Sequence, residues 1–142
     1  MATAQIPASF TAESRVARLA TVDATGYPHL VPVCYATDGR AYFSAIDTKP
    51  KRTPPERLKR IRNIRANPRV ALLIDHYAED WRQLRYVMVQ GRAELLRDGP
   101  EWSAARRLLS AKYPQYRAMP LHEGGLMIKI TPERVVGWSW PA

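Results

Sequence analysis

Two glycine turns near the start of the chain constrain its fold more than any other feature: Ala24-Thr-Gly-Tyr-Pro28 and Thr37-Asp-Gly-Arg40. Gly and Pro close together turn a chain, and Asp-Gly supplies the positive φ that tight hairpins require. Around these turns lie three short runs, 18–23, 29–36 and 41–46, the second rich in Val and aromatic residues as strands are. Strands joined by such short turns form an antiparallel meander, because parallel neighbours need a long crossover. Pro32 has no N–H for a ladder, so the second strand must be an edge strand or bulge near that residue.

The rest of the chain extends the same pattern. Residues 1–10 read as a flexible arm, and 11–17 as a short helix with Thr11 as its N-cap. A Pro-rich basic loop at 49–55 leads into a helix over 56–66, with Leu58, Ile61 and Ile64 as its buried stripe. Asn67-Pro68 ends that helix. The apolar run 69–77 predicts a strand covered on both faces. A loop at 78–83 precedes a long strand over 84–96, in which Gly91 marks a bend or bulge. Asp98-Gly-Pro starts a helix through 101–113, and 126–130 with 133–140 read as a closing hairpin around Thr131-Pro132. Hairpin-linked strands with helices as side packing indicate an α+β antiparallel barrel rather than a doubly wound sheet. The 142 residues suit a single domain with one core.

The formal charge is +9, and its location is more informative than its total. Between positions 49 and 69 lie nine Lys and Arg residues against Glu56 alone. Such a cluster seeks an anionic partner. Lys49, Lys51, Lys59, Arg60, Arg62 and Asn63 follow a strand that ends at Ser44, so a phosphate at this junction would meet arginine forks, lysine point charges and a helix N-terminus. A solvated basic helix face is the plainer reading. A nucleic-acid-binding module, with Trp81 and Tyr86 stacking bases, is a third. Cys34 is the single cysteine, so no internal disulfide forms, which fits a reducing cytoplasm. No run is long enough to span a membrane, and no secretory signal opens the chain. His29, His76 and His122 are scattered without metal-ligand spacing, so no metal site is expected. His29 and His76 read as an exposed strand end and a structural histidine. No nucleophile elbow, Walker loop or dinucleotide fingerprint is present.

The order of these pieces resembles a known family. Leu19-Ala-Thr-Val-Asp-Ala-Thr-Gly-Tyr-Pro-His-Leu-Val-Pro-Val33 is similar to its opening hairpin, with a D-x-x-G-x-P turn and a strand centred on V-P-V. Tyr42-Phe-Ser-Ala45, Arg60-Ile-Arg-Asn63 and Asn67-Pro-Arg-Val70 resemble its next strand, its K/R-x-x-N helix and its N/D-P-R-V signature. The likeness runs on through Trp81 to Gly91 and covers most of the chain. The family is the pyridoxamine 5′-phosphate oxidase-like split barrel, also called the FMN-binding split barrel, and the branch is that of the deazaflavin (F420)-dependent oxidoreductases.

This resemblance implies a homodimer with coenzyme sites at the subunit interface. It places the ring along Val31, Pro32 and Val33, with Ser44 and Ala45 also lining the coenzyme. The phosphate falls to Arg60, Arg62 and Asn63, with Lys49, Lys51 and Lys59 nearby, and Trp81 and Tyr86 reach in from the partner. The implied activity is hydride transfer between F420 and an unsaturated small molecule, with FMN as the alternative coenzyme. No catalytic side chain is assigned, and neither nucleic acid nor membrane is an expected partner. Two departures argue against pyridoxamine phosphate oxidation. Arg82-Gln-Leu-Arg85 sits three residues too early for the family's R-Q-V-R motif, and Trp138-Ser-Trp-Pro-Ala142 lacks a C-terminal arginine region.

Overall fold

The computed structural model describes residues 6–46 and 54–141. Helix α1 (Ala8–Glu13) precedes strands β1 (Ala17–Val22), β2 (Pro28–Val33), β3 (Ala36–Thr37) and β4 (Tyr42–Ala45). Helix α2 (Lys59–Ala66) precedes β5 (Arg69–His76) and β6 (Arg85–Leu96), and helices α3 (Gly99–Lys112) and α4 (Gln115–Ala118) precede β7 (Met127–Ser139). Short 3-10 turns occupy Pro55–Arg57 and Trp81–Gln83. All strand pairs are antiparallel, in the order β2-β1-β5-β6-β7-β4-β3.

The single strand expected over 29–36 is two strands. β2 lies on β1 at one edge of the sheet, and β3 pairs with β4 at the other. Only Cys34 and Tyr35 join them, a reach of at most roughly 11 Å for an extended chain. The two edges of the sheet are therefore neighbours, and the sheet must curl into a split barrel. Tyr35 is fully buried at this corner. Its hydroxyl donates to the Thr11 carbonyl, and its N–H donates to the Tyr113 hydroxyl at 3.0 Å.

Both turns form as expected, with Gly26 at φ 87° and Gly39 at φ 89°. The closing hairpin does not. Residues 127–139 are one strand with a bulge, in which Gly91 faces Pro132 while Gln90 faces Arg134. A Cβ on Gly91 would lie 2.3 Å from the Thr131 carbonyl oxygen, so only glycine admits this bend. Proline at the bulge costs no ladder bond to β4, whose pairing with β7 ends at Ile130. The first helix also begins earlier than the sequence suggests. Ala8–Phe10 belong to it rather than to an arm, because Phe10 has the barrel core to bury against, and Thr11 lies inside the helix rather than at its N-cap.

Leu19, Leu72, Ile74, Val89, Ile128 and Ile130 fill the barrel, and Ile61 and Ile64 of α2 join them. A second cluster, with Phe43, Trp102, Leu109, Tyr113 and Tyr116, packs α3 and α4 against β3 and β4. β5 buries Val70, Leu72 and Ile74 but leaves Ala71 and Leu73 half-buried on its outer face, so within one protomer it is covered on one side only. Among the described residues no helix is long and apolar enough to cross a membrane.

Candidate functional site

Helix α2 carries the cations that matter, and its burial explains which of them face outward. Ile61, Asn63 and Ile64 are buried, while Arg62 and Arg65 are exposed and Lys59 and Arg60 are half-buried. Leu58 at the N-cap offers no side-chain acceptor, and its carbonyl accepts from the N–H groups of both Ile61 and Arg62 at 3.0 Å. Arg65 turns away to pair with Glu56 at 3.0 Å, and Glu56 also meets Arg97. Lys59 reaches the Asp23 carboxylate at 3.4 Å. Asp23 is held well below the usual carboxylate range by the Thr25 hydroxyl and then the Tyr27 N–H, and it orders the β1–β2 turn. Among the described residues no carboxylate pairs with Arg62. The first turn of α2 thus presents Lys59, Arg60 and Arg62 together, a donor set suited to a phosphate monoester.

Asn63 plays a different part from its neighbours. It is 2% exposed, and its Nδ2 donates to the Thr21 hydroxyl at 2.9 Å. Its amide is engaged in holding α2 onto β1 rather than facing outward with the arginines.

The other expected residues divide in the same way. In β2, Val31 is half-buried, Pro32 exposed and Val33 buried. Ser44 is buried and its hydroxyl donates to the Cys34 carbonyl at 2.8 Å, which ties the end of β4 to the β2–β3 corner. Ala45 and Ile46 line a cavity of about 60 Å³ with Trp102, Leu126 and Met127. Val31, Val33, Ile46, Leu58 and Ile61 all belong to the one core cluster that fills the barrel. Lys49 and Lys51 fall outside the described residues.

Trp81 and Tyr86 are not brought to that region within one protomer. The Asp23 turn and Asn63 lie at the end of the sheet where Ala20 faces Ala71, whereas Trp81 lies beyond the opposite end, where His76 faces Arg85. Trp81 is 57% exposed, and Tyr86 stacks on Trp138 with centroids 6.0 Å apart.

Sequence reasoning missed a polar knot at the same corner. Lys112 Nζ donates to the Tyr35 carbonyl at 2.9 Å and sits 3.9 Å from the centroid of the Tyr35 ring. Burial, and then the Arg15 charge, lower its pKa to about 8. The Tyr113 hydroxyl lies 2.9 Å from the carbonyls of both Arg15 and Tyr35. Nothing in the helical pattern of 99–112 distinguishes Lys112 from a solvated lysine, so only the tertiary structure reveals it.

Comparison with known proteins agrees with this architecture. The chain is 32% identical over 123 residues to a 5a,11a-dehydrotetracycline/5a,11a-dehydrooxytetracycline reductase of Streptomyces rimosus subsp. rimosus, covering 86% of this chain and 72% of that protein. A conserved hypothetical protein of Mycobacterium tuberculosis shares the fold with a TM-score of 0.73 at 22% identity, over 98% of this chain and 90% of that one. A FAD-binding protein of Mesorhizobium loti matches with a TM-score of 0.65 at 27% identity, over 91% and 87% of the two chains. The family model described as pyridoxamine 5′-phosphate oxidase matches residues 7–139. By sequence, topology and relatives alike, this chain belongs to the pyridoxamine 5′-phosphate oxidase family.

Proposed function

We propose that this chain is an oxidoreductase that takes the deazaflavin F420 and delivers a hydride to an unsaturated small molecule, working as a homodimer in the cytoplasm. The observation that carries the reading is the first turn of α2, where Lys59, Arg60 and Arg62 flank Ile61, which is buried in the same core cluster as Val31, Val33 and Ile46. A coenzyme with a phosphate at one end and a flat ring at the other needs this pairing of cations with an apolar slot. The reductase of Streptomyces rimosus supports the reaction class.

In this reading Arg60 and Arg62 grip the phosphate, and Lys59 adds charge from its place beside Asp23. Asn63 acts one step back, by fixing α2 on Thr21. Val31 and Pro32 bear on the ring, and Ser44 and Ala45 shape the floor beneath it. A reduced deazaflavin, when bound, supplies the hydride. The FAD-binding neighbour from Mesorhizobium loti favours a flavin such as FMN as the alternative coenzyme.

A second copy would complete the site. The outer face of the sheet carries Leu73, Met88 and Val136 in one cross-strand row, all half-buried, beside Tyr86 and Trp138. Packing two such faces about a two-fold axis that runs across the strands brings the Trp81 end of one copy over the Asp23 end of the other. That arrangement would supply Trp81 and Tyr86 where one protomer lacks them.

Parallel titrations with F420, FMN and FAD, followed by fluorescence, test the reading. Tight binding of F420, weakened on the order of 100-fold by Arg60→Ala with Arg62→Ala, is the expected result, the scale of lost charged hydrogen bonds. Coenzyme binding that ignores the double substitution would remove the phosphate assignment.

A further inference from the structure

At the opposite mouth of the barrel from α2, the inner face of the β5–β6 ladder ends in an unexpected pair. Going outward, Leu72 faces Val89 and Ile74 faces Val87, all buried and apolar, and the next inward pair is His76 with Arg85. Direct cross-strand neighbours have their Cβ atoms about 5 Å apart, so the imidazole and the guanidinium stand side by side. Each nearby arginine on the outer surface has a carboxylate: Arg18 meets Asp75 at 2.7 Å, and Arg82 meets Asp80 at 2.9 Å. Arg85 has none among the described residues. Its guanidinium lies over the Phe10 ring, 4.8 Å from the centroid, and its buried Nε meets no acceptor.

Helix α1 roofs this pair and leaves a cleft of about 260 Å³ between them. Pro7 and Phe10 form its apolar wall, and Ser9, His76 and Arg85 supply donors, while the Ser14 hydroxyl at its edge already donates to the Phe10 carbonyl at 2.6 Å. Glu13 also lines the cleft but does not come within ion-pair distance of Arg85. A planar arginine fork beside an imidazole and a serine hydroxyl is the chemistry that recognises a small oxyanion. An anion there would give the Arg85 guanidinium the charged partner that no described carboxylate supplies.

We propose that the cleft between α1 and the end of the β5–β6 ladder is a binding site for a small oxyanion, a carboxylate or an inorganic phosphate-type ion, held by Arg85 with His76. Within one protomer this cleft lies at the other end of the barrel from the cations of α2.

The test is a titration of the full chain with sulfate, and separately with acetate, followed by the Arg85 Nε–H and backbone signals in 15N-correlated NMR spectra. Saturable shifts confined to Ser9, Phe10, Ser14, His76 and Arg85 are expected, and the stronger ligand identifies the source as inorganic or carboxylate. Arg85→Met should abolish saturation. His76→Ala, which leaves the Phe10–Arg85 stack in place, should weaken it several-fold. The same shifts should survive Arg60→Ala with Arg62→Ala, so the two sites fail or stand separately. Shifts that are linear in salt, that centre on Lys59–Arg62, or that survive both substitutions would overturn the proposal.

Discussion

The Asn63 amide and the Thr21 hydroxyl form a buried hydrogen bond of 2.9 Å that joins the basic helix to the first strand of the barrel. Removing the amide leaves Thr21 without its partner in a dry site. Asn63→Ala should therefore cost about 2 kcal/mol of stability, read from urea unfolding. Coenzyme affinity should fall less than for the Arg60 and Arg62 pair, because the side chain orients the helix without touching the ligand. An equal fall in affinity, with stability intact, would return Asn63 to the phosphate.

Gly91 is where β7 bends past β6, with the Thr131 carbonyl pressed against its Cα. Gly91→Ala places a methyl group 2.3 Å from that oxygen, and the strand cannot retreat without breaking its ladder. A loss of about 2–3 kcal/mol is expected, as a lowered urea midpoint. A variant as stable as the parent would show that the bulge can relax.

Met88 sits at the middle of the outer row between Leu73 and Val136. Met88→Arg puts like charges face to face across the proposed two-fold axis. Light scattering after size exclusion should show the parent as a dimer and the variant as a monomer, with coenzyme binding lost in step. A variant that remains dimeric would place the interface elsewhere.

Lys112 gives a pH dependence of defined sign. Its pKa is lowered to about 8 in the fold from an ordinary 10.5, so between those values the unfolded chain holds a proton that the folded chain lacks. Stability from this group therefore rises with pH across that window. The urea midpoint of the parent, measured relative to Lys112→Met, should increase from pH 7.5 to pH 9.5. Tyr35, held above its ordinary value by burial, works in the opposite direction only above its ordinary 10.0, beyond the range measured. A difference that is flat with pH would mean the ammonium is solvated.

Local signals gave a good account of the barrel where they were also structural causes. Asp23, Gly26, Asp38 and Gly39 build their turns through their own backbone and side-chain bonds, so the meander could be read directly. Pro32 fell on an edge strand, as its missing donor requires. The break at Cys34–Tyr35 left no such mark, because extended backbone continues through it and only the partners change. Thr131-Pro132 resembled a turn because a proline at a bulge and a proline in a turn look alike in sequence.

At the site, charge was legible and direction was not. Arg60, Arg62 and Asn63 are close in sequence, yet helical geometry sends Asn63 inward with Ile61 and Ile64. His76 read as a plain structural histidine because its opposite number, Arg85, is nine positions away and meets it only through the ladder.

The lone edge of β2 has a consequence for the life of the molecule in a crowded cell. An unpaired strand invites a stranger's backbone to add on, the first step toward fibrils. Pro28 and Pro32 take two donors out of this six-residue strand, so an incoming chain would find gaps where it needs rungs. The same prolines along which the proposed ring would rest also deny that edge to aggregation.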